Sequence, residues 1–195
     1  MTLLKKALII FARKPELGKV KTRLAATAGA EAALAVYEKL LVHTRMVAKE
    51  TGIDTYVFLT EPTDDHFWED FYCELQVGDT LGDRMQQAFH FLFLKKYNEC
   101  VMIGSDCPGL STEIINGAFD DLQKNDVVIG PATDGGYYLL GMKEPSPVLF
   151  QNINWSTEKV FSQTIQAIKL QKLSYAEGVT LNDVDEEKDV PFGWL

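Results

Sequence analysis

A short basic segment carries the highest density of charge in this sequence. Residues 13–23 hold five cationic side chains against one carboxylate, Glu16, in a chain whose formal net charge is −9. Gly18 gives the backbone freedom to approach a ligand, while Lys21 and Arg23 supply an ammonium point charge and a planar guanidinium fork. These donors suit the oxygens of a diphosphate, although a solvated loop could carry the same charges. The residues expected to contact a nucleotide here are Ala12, Arg13, Lys14, Gly18, Lys21 and Arg23.

The common phosphate-binding motifs do not account for this segment. A Walker A loop needs a glycine five residues before its Gly-Lys pair and a serine or threonine after it. Gly18-Lys19 instead has Arg13 upstream and Val20 downstream. The dinucleotide motif is absent as well, because Gly18 is the only glycine in the loop. What remains is a Gly-x-x-Lys-Thr-Arg arrangement that could hold phosphate through side chains.

Carboxylates that could bind a metal follow two predicted strands. Asp106 comes two residues after the end of the apolar run 100–104, and Pro108 prevents that strand from continuing. Mg²⁺ or Mn²⁺ commonly takes one or two protein carboxylates and completes its shell with water and phosphate oxygens. Asp134 precedes two glycines beyond another predicted strand and is the second candidate ligand. Either aspartate could instead be a cap or turn residue, and Asp134-Gly135 is also a typical hairpin turn.

A third pair of carboxylates lies near the end of the chain. Asp183 and Asp185 are two residues apart, so they point the same way if the segment is extended. Either could join a metal site, and Asp185 is the one we predict as a ligand. The alternative is a helix N-cap, which the following Glu186 and Glu187 would favour.

Further polar residues could complete a binding site. Segment 76–85 follows a strand and leads into a helix, which could place Gln76 or Arg84 against a base, a sugar or a phosphate. Arg84 could also be a surface partner of Asp79 or Asp83. Ser105 is included among the nucleotide-binding candidates because it precedes Asp106.

The elements that must position these residues alternate between strands and helices. Apolar runs at 8–12, 55–59, 100–104, 126–130 and 137–141 predict buried strands, with weaker strands at 74–77 and 172–175. Helical periodicity predicts helices over 33–48, 64–71, 82–94, from 112 to about 122, and from about 156 to 168. This alternation predicts an α/β protein, a three-layer α/β/α sandwich with a mostly parallel sheet, whose ligands lie beyond the carboxyl ends of the strands. No linker or repeat is visible, so residues 1–195 are expected to form one domain.

Composition limits the classes of partner. An acidic chain repels nucleic-acid backbones and anionic membranes, so we expect a nucleotide and a small acceptor rather than a polymer. No apolar stretch is long enough to span a bilayer, and no cleavable signal is evident, which favours a cytoplasmic protein. Three irregularly spaced cysteines fit reduced thiols and lack zinc-ligand spacing.

Taken together, these segments resemble the nucleotide-diphospho-sugar transferase superfamily, which has the glycosyltransferase A fold. More narrowly, the chain looks like a bacterial glycosyltransferase A-like family, some members of which are assigned to arsenosugar biosynthesis. It also resembles the related phospholactate and molybdenum-cofactor guanylyltransferases. The matching pieces are FARKPELGKVKTRL (11–24), LGDRM (81–85), GSDCPGL (104–110), GPATDGGYYLLG (130–141) and NDVD (182–185).

The resemblance implies a seven-stranded mixed sheet, a nucleotide over the first loop, and Mg²⁺ or Mn²⁺ near Asp106. It also implies phosphate contacts from Lys21 and Arg23, and Asp134 is the further residue we expect in catalysis. Two departures bear on this: Glu186 stands where a threonine commonly follows the Asp-x-Asp, and Ser105-Asp106-Cys107 lacks the second acid of a glycosyltransferase motif.

The expected function is that of a metal-dependent transferase using a nucleotide-activated sugar. One alternative is nucleotidyl transfer with release of pyrophosphate from a nucleoside triphosphate. The other is a nucleotide-binding protein without turnover.

Overall fold

The structure, a computed structural model, describes residues 4–63 and 66–195. Within these residues one sheet contains seven strands, which are β1 (Lys6–Ala12), β2 (Asp54–Leu59), β3 (Tyr72–Leu75), β4 (Glu99–Ile103), β5 (Val127–Pro131), β6 (Tyr137–Met142) and β7 (Tyr175–Glu177). The α-helices in the same ranges are α1 (Thr22–Ala28), α2 (Ala30–Glu50), α3 (Leu81–Leu94), α4 (Thr112–Leu122) and α5 (Val160–Leu170). None of these helices has the length and apolar character that crossing a membrane requires.

The strand order explains which loops can meet. The sheet runs β3-β2-β1-β4-β6-β5-β7. Only β6 is antiparallel to its neighbours, β4 and β5, while the remaining pairs are parallel. The prediction of a mostly parallel mixed sheet is therefore confirmed. Because β1 and β4 are parallel neighbours, the loops that follow them open at the same edge.

Both faces of the sheet are covered by helices, as expected for a three-layer sandwich. Along β1, Leu8 and Ile10 pack into the cluster that contains Tyr37 of α2. The alternate residue Ile9 packs with Leu92 of α3 on the other face. A strand buried on both sides has no polar face, which is why β1 reads as a continuous apolar run.

Four predicted elements differ from the structure. Strand β3 covers Tyr72–Leu75 rather than 74–77. Residues 66–71 form turns rather than part of a helix, while residues 64–65 of that prediction lie outside the described part of the chain. Trp68 is buried against the core from this turn, so its apolar spacing mimicked a helix. Helix α5 begins at Val160, because Ser156 has a positive φ of 63° that ends any earlier helix. The last strand lies at 175–177 rather than 172–175.

Helix α1 was not predicted. It begins immediately after Lys21, within the segment interpreted as a loop, and its buried residue is Leu24. The run between Lys21 and Gly29 covers only about two turns, which is too short to show helical periodicity.

Candidate functional site

A cavity of about 580 Å³ opens at the carboxyl edge of the sheet. Its walls come from the loops after β1 and β4, from the segment between β3 and α3, and from the chain after β7. The first two meet because β1 and β4 are parallel neighbours. The cavity therefore collects residues that are far apart in sequence.

The centre of the cavity holds an ion pair between the two predicted loops. Lys21 Nζ lies 2.7 Å from Asp106 Oδ1. The Lys21 side chain is only 6% exposed, whereas Asp106 is 47% exposed. Lys21 is also the N-cap of α1 and has left-handed backbone angles, φ 47° and ψ 47°. A lysine in this backbone region is uncommon, so the surrounding contacts must hold it there.

A second ion pair lies at the rim. Arg23 Nη1 donates to Asp185 Oδ2 at 3.0 Å, and the arginine side chain is 69% exposed. Arg23 and Asp185, which the sequence predicts separately as site residues, therefore contact each other. Solvent screens such a pair, so its value is in placing the guanidinium rather than in stability.

The entry to the basic loop is fixed by two side chains from other elements. The Tyr37 hydroxyl accepts a hydrogen bond from the Arg13 N–H at 2.9 Å and donates one to the Arg13 carbonyl at 3.1 Å. The Gln76 amide nitrogen donates to the carbonyls of Ala12 and Phe58 at 3.2 and 2.9 Å. Both Gln76 N–H groups are thereby used, so its side-chain oxygen is the atom left to accept a hydrogen bond from a ligand.

A half-buried carboxylate, that of Asp183, lies near Asp106. The chain after β7 crosses the sheet edge, where the Val184 N–H donates to the Asp106 carbonyl at 3.0 Å. This crossing places Asp183 against Cys107, whose thiol donates to the Asp183 carboxylate in a short hydrogen bond. Burial raises the pKa of Asp183 to about 6, and the negative charges of Asp106 and Asp134 act in the same direction. Burial likewise raises the pKa of the Cys107 thiol, so Cys107 is a donor here and not a nucleophile.

The structure brings most of the predicted residues to this cavity. From the basic loop, Ala12, Arg13, Lys21 and Arg23 line it. From the other elements, Gln76, Arg84, Ser105, Asp106 and Asp185 line it. Arg84 lies in the first turn of α3, and its Nε donates to the carbonyl of Gly78 in the preceding loop at 3.0 Å.

Three predicted residues are not among those that line the cavity. Lys14 and Gly18 belong to the part of the basic loop outside the cavity. There the Nζ atoms of Lys14 and Lys19 lie 3.9 and 2.5 Å from the carboxylate oxygens of Glu16. Asp134 accepts a hydrogen bond from the Gly136 N–H at 2.8 Å, which closes the turn between β5 and β6. This contact matches the alternative interpretation of Asp134 as a turn residue. The negative charge of Asp134 nevertheless helps to raise the pKa of Asp183.

Sequence reasoning missed two contributors. Tyr37 lies on α2 at a helical core position, and nothing local marks its hydroxyl as a loop anchor. The cysteine spacing predicts only a reduced thiol at Cys107, and nothing in the sequence indicates its hydrogen bond to Asp183. The signal for Asp183 was present in its spacing from Asp185, but that spacing could not say which of the two would be buried.

The carboxylates of the cavity supply oxygen donors for a divalent cation. Among the described residues, no group of three or more histidine, cysteine or acidic side chains forms a metal cluster. Asp106 and Asp183 do face the same cavity and supply hard oxygen donors. Two carboxylates are sufficient for a cation that takes its other ligands from phosphate and water. The donor set therefore fits Mg²⁺ or Mn²⁺ delivered with a nucleotide.

Comparison with known proteins gave one family and many similar folds. Residues 43–157 match a family described as "Uncharacterized protein conserved in bacteria (DUF2064)". A candidate nucleotide-diphospho-sugar transferase from Desulfovibrio desulfuricans G20 is 30% identical, with a TM-score of 0.88 over 94% of this chain and 84% of that one. No curated protein matches the chain.

More distant structures share the fold alone. The 4-diphosphocytidyl-2C-methyl-D-erythritol synthase of Anaerococcus prevotii DSM 20548 is 13% identical, with a TM-score of 0.61 over 97% of this chain and 94% of that chain. Rv0371c of Mycobacterium tuberculosis H37Rv, crystallised in complex with manganese, is 14% identical, with a TM-score of 0.59 over 96% of each chain.

Proposed function

Because this chain belongs to the bacterial DUF2064 family and has the nucleotide-diphospho-sugar transferase fold, we propose that it is a metal-dependent transferase that uses a nucleotide-activated sugar. The observation that carries the proposal is the meeting of Lys21 and Asp106, 2.7 Å apart, in one cavity at the carboxyl edge of the sheet. A diphosphate bound there can contact cationic side chains on one side and a carboxylate-bound cation on the other.

Each residue then has a defined task. Lys21 and Arg23 neutralise the negative charge that develops on the leaving diphosphate, an electrostatic contribution of about 3 kcal/mol for a well-placed donor. Arg13, whose backbone Tyr37 fixes, adds a guanidinium at the mouth of the cavity. The Gln76 oxygen, left as an acceptor, suits an amino or imide N–H of a base.

The cation would be held by Asp106 and Asp183. When bound, it supplies Lewis-acid neutralisation of the diphosphate. The complex of Rv0371c with manganese supports a divalent cation on this fold. Asp185, which we predicted as a ligand, is assigned instead to orienting Arg23, its partner at 3.0 Å. Asp134 is assigned to the turn that it closes.

Ligand-induced thermal stabilisation tests the proposal. The wild-type protein is expected to melt at a higher temperature with a nucleoside-diphosphate sugar plus Mn²⁺ than with either alone, since a ligand that binds the native state stabilises it. Asp106→Asn keeps an oxygen that can accept from Lys21 but removes the charge, and it should abolish the metal-dependent part of the shift. The matched control is Asp120→Asn, which neutralises an exposed carboxylate on α4. An undiminished metal-dependent shift in Asp106→Asn would remove Asp106 from the site.

Nucleotidyl transfer is the second candidate. The observation in its favour is that Asp106 stands between Ser105 and Cys107, without the second acid of a glycosyltransferase motif. Product analysis separates the two: release of a nucleoside diphosphate from a nucleotide sugar supports glycosyl transfer. Release of pyrophosphate from a nucleoside triphosphate supports nucleotidyl transfer, and ligand binding with no product supports a protein without turnover.

A further inference from the structure

We propose that Lys21 occupies the cation position of Asp106 in the free protein, so that a divalent cation and the Lys21 ammonium compete for one carboxylate. The inference rests on the proposed function, because the cation concerned is the one assigned there to Asp106 and Asp183. Arrival of a nucleotide diphosphate would draw Lys21 onto phosphate oxygens and free the carboxylate for the metal.

The contact itself is the first support. Lys21 Nζ lies 2.7 Å from Asp106 Oδ1, and the side chain is almost fully buried. A divalent cation bound to Asp106 would approach its oxygens to about 2.0–2.6 Å. Two cations that share one carboxylate at these distances repel each other, and the burial of the Lys21 side chain reduces screening by water on its side of the contact.

Lys21 also acts on the second proposed ligand, Asp183, which lines the same cavity. Its positive charge lowers the pKa of Asp183 and so partly counters the rise that burial causes. The Lys21 ammonium therefore opposes a second cation at Asp106 by direct contact and near Asp183 by its charge. Arg23 does not compete in this way, because its contact is Asp185 at the rim.

The backbone at Lys21 is consistent with a side chain that exchanges partners. Its φ of 47° is unfavourable for lysine, and no side chain caps the start of α1 at this position. Val20 before it is buried in the core, which fixes the chain up to this residue. The loop thus delivers Lys21 to the cavity rigidly, and the exchange requires only side-chain rotation from one anion to another.

Competition makes a specific prediction for metal binding without nucleotide. Free Mn²⁺ should bind the wild-type protein weakly, and nucleotide should strengthen it. Removal of the lysine charge should strengthen Mn²⁺ binding in the absence of nucleotide while weakening nucleotide binding. A residue that simply helps to form the site would weaken both when removed.

The test is titration of Mn²⁺ alone, followed by the electron paramagnetic resonance signal of the free ion. For Lys21→Met we expect the Mn²⁺ dissociation constant to fall about tenfold, within the usual range of coupling between sites. Lys19→Met is the matched control for loss of a loop cation, because Lys19 contacts Glu16 and is not among the residues that line the cavity. This control should bind Mn²⁺ as the wild type does.

Two results would overturn the competition. One is Mn²⁺ affinity in Lys21→Met that equals or falls below the wild-type value, and the other is an equal gain in Lys19→Met. Should Lys21→Met fail to fold, Lys21→Asn provides the same test, because asparagine tolerates the left-handed backbone. Failure of the proposed function has a different signature: no nucleotide or nucleotide sugar would strengthen Mn²⁺ binding to the wild type, while Lys21→Met would still bind Mn²⁺ more tightly.

Discussion

The Tyr37 hydroxyl anchors the basic loop, and Tyr37→Phe measures that role. The substitution keeps a ring that is 3% exposed and removes two hydrogen bonds, at 2.9 and 3.1 Å, to the backbone of Arg13. A hydrogen bond contributes about 1 kcal/mol net, so losing both costs about 2 kcal/mol of unfolding free energy. In a chain of 195 residues, 1 kcal/mol shifts the melting temperature by about 2–4 °C, which gives an expected fall of about 4–8 °C.

Thermal unfolding followed by circular dichroism, with and without a nucleotide sugar and Mn²⁺, is the assay. Tyr72→Phe is the matched control, since Tyr72 is 56% exposed and its ring stacks on Tyr56 with or without the hydroxyl. Tyr37→Phe should also show a smaller ligand-induced shift, because Arg13 is less firmly placed. A melting temperature within about 1 °C of the Tyr72→Phe value would refute the anchoring role.

Two further predictions concern the scaffold. The hydroxyl and amide of Ser174 donate to Asp126 at 2.6 and 2.9 Å and hold its pKa below the usual range. The free energy of folding that this lowered pKa contributes is present at neutral pH and is lost as the pH falls through the carboxyl range. The free energy of unfolding of Asp126→Asn in urea should therefore depend less on pH between about 3 and 5 than that of the wild type. An unchanged pH slope would contradict this. Gly141→Ala would place a Cβ 2.6 Å from Val128 Cγ1 and should cost about 1–3 kcal/mol in urea unfolding. A Cβ added at Gly117 on α4 has no heavy atom within 4 Å, so Gly117→Ala is the control and should be neutral or stabilising. Equal free energies of unfolding for the two variants would show that the sheet accommodates the added methyl group without cost.

The meeting of Lys21 with Asp106 could be anticipated from sequence for a physical reason. Each follows an apolar run that is buried on both faces, and such runs form adjacent parallel strands whose carboxyl ends share an edge. The fold class followed from the same alternation and is confirmed by the sheet order. Burial of Val184 and its hydrogen bond to Asp106 could not be anticipated, because the chain after β7 has no periodic pattern. The position of Asp183 depends on that crossing.

The turn at Asp134 shows a second limit of sequence. Asp134 before Gly135 predicts a metal ligand and a hairpin turn equally well, because a carboxylate accepts from a backbone N–H as readily as it binds a cation. The hydrogen bond from Gly136 describes the turn, and it depends on the local backbone path. Residue type alone does not show whether a backbone N–H or a cation contacts the Asp134 carboxylate.

The pairing of charges explains how an acidic protein uses a basic loop. Lys21 and Arg23 face carboxylates from other elements, and Lys14 and Lys19 face Glu16 within the loop. Within the described residues, the remaining loop cation, Arg13, has no such partner. The free protein therefore presents little unopposed positive charge, and an anion must replace existing carboxylate partners to bind. For the central pair, a ligand that brings phosphate oxygens and a divalent cation would give both Lys21 and Asp106 a new partner, whereas phosphate alone would leave Asp106 without a counter-ion. Under the proposed function we therefore expect the cavity to bind a metal-bound diphosphate more tightly than a bare anion.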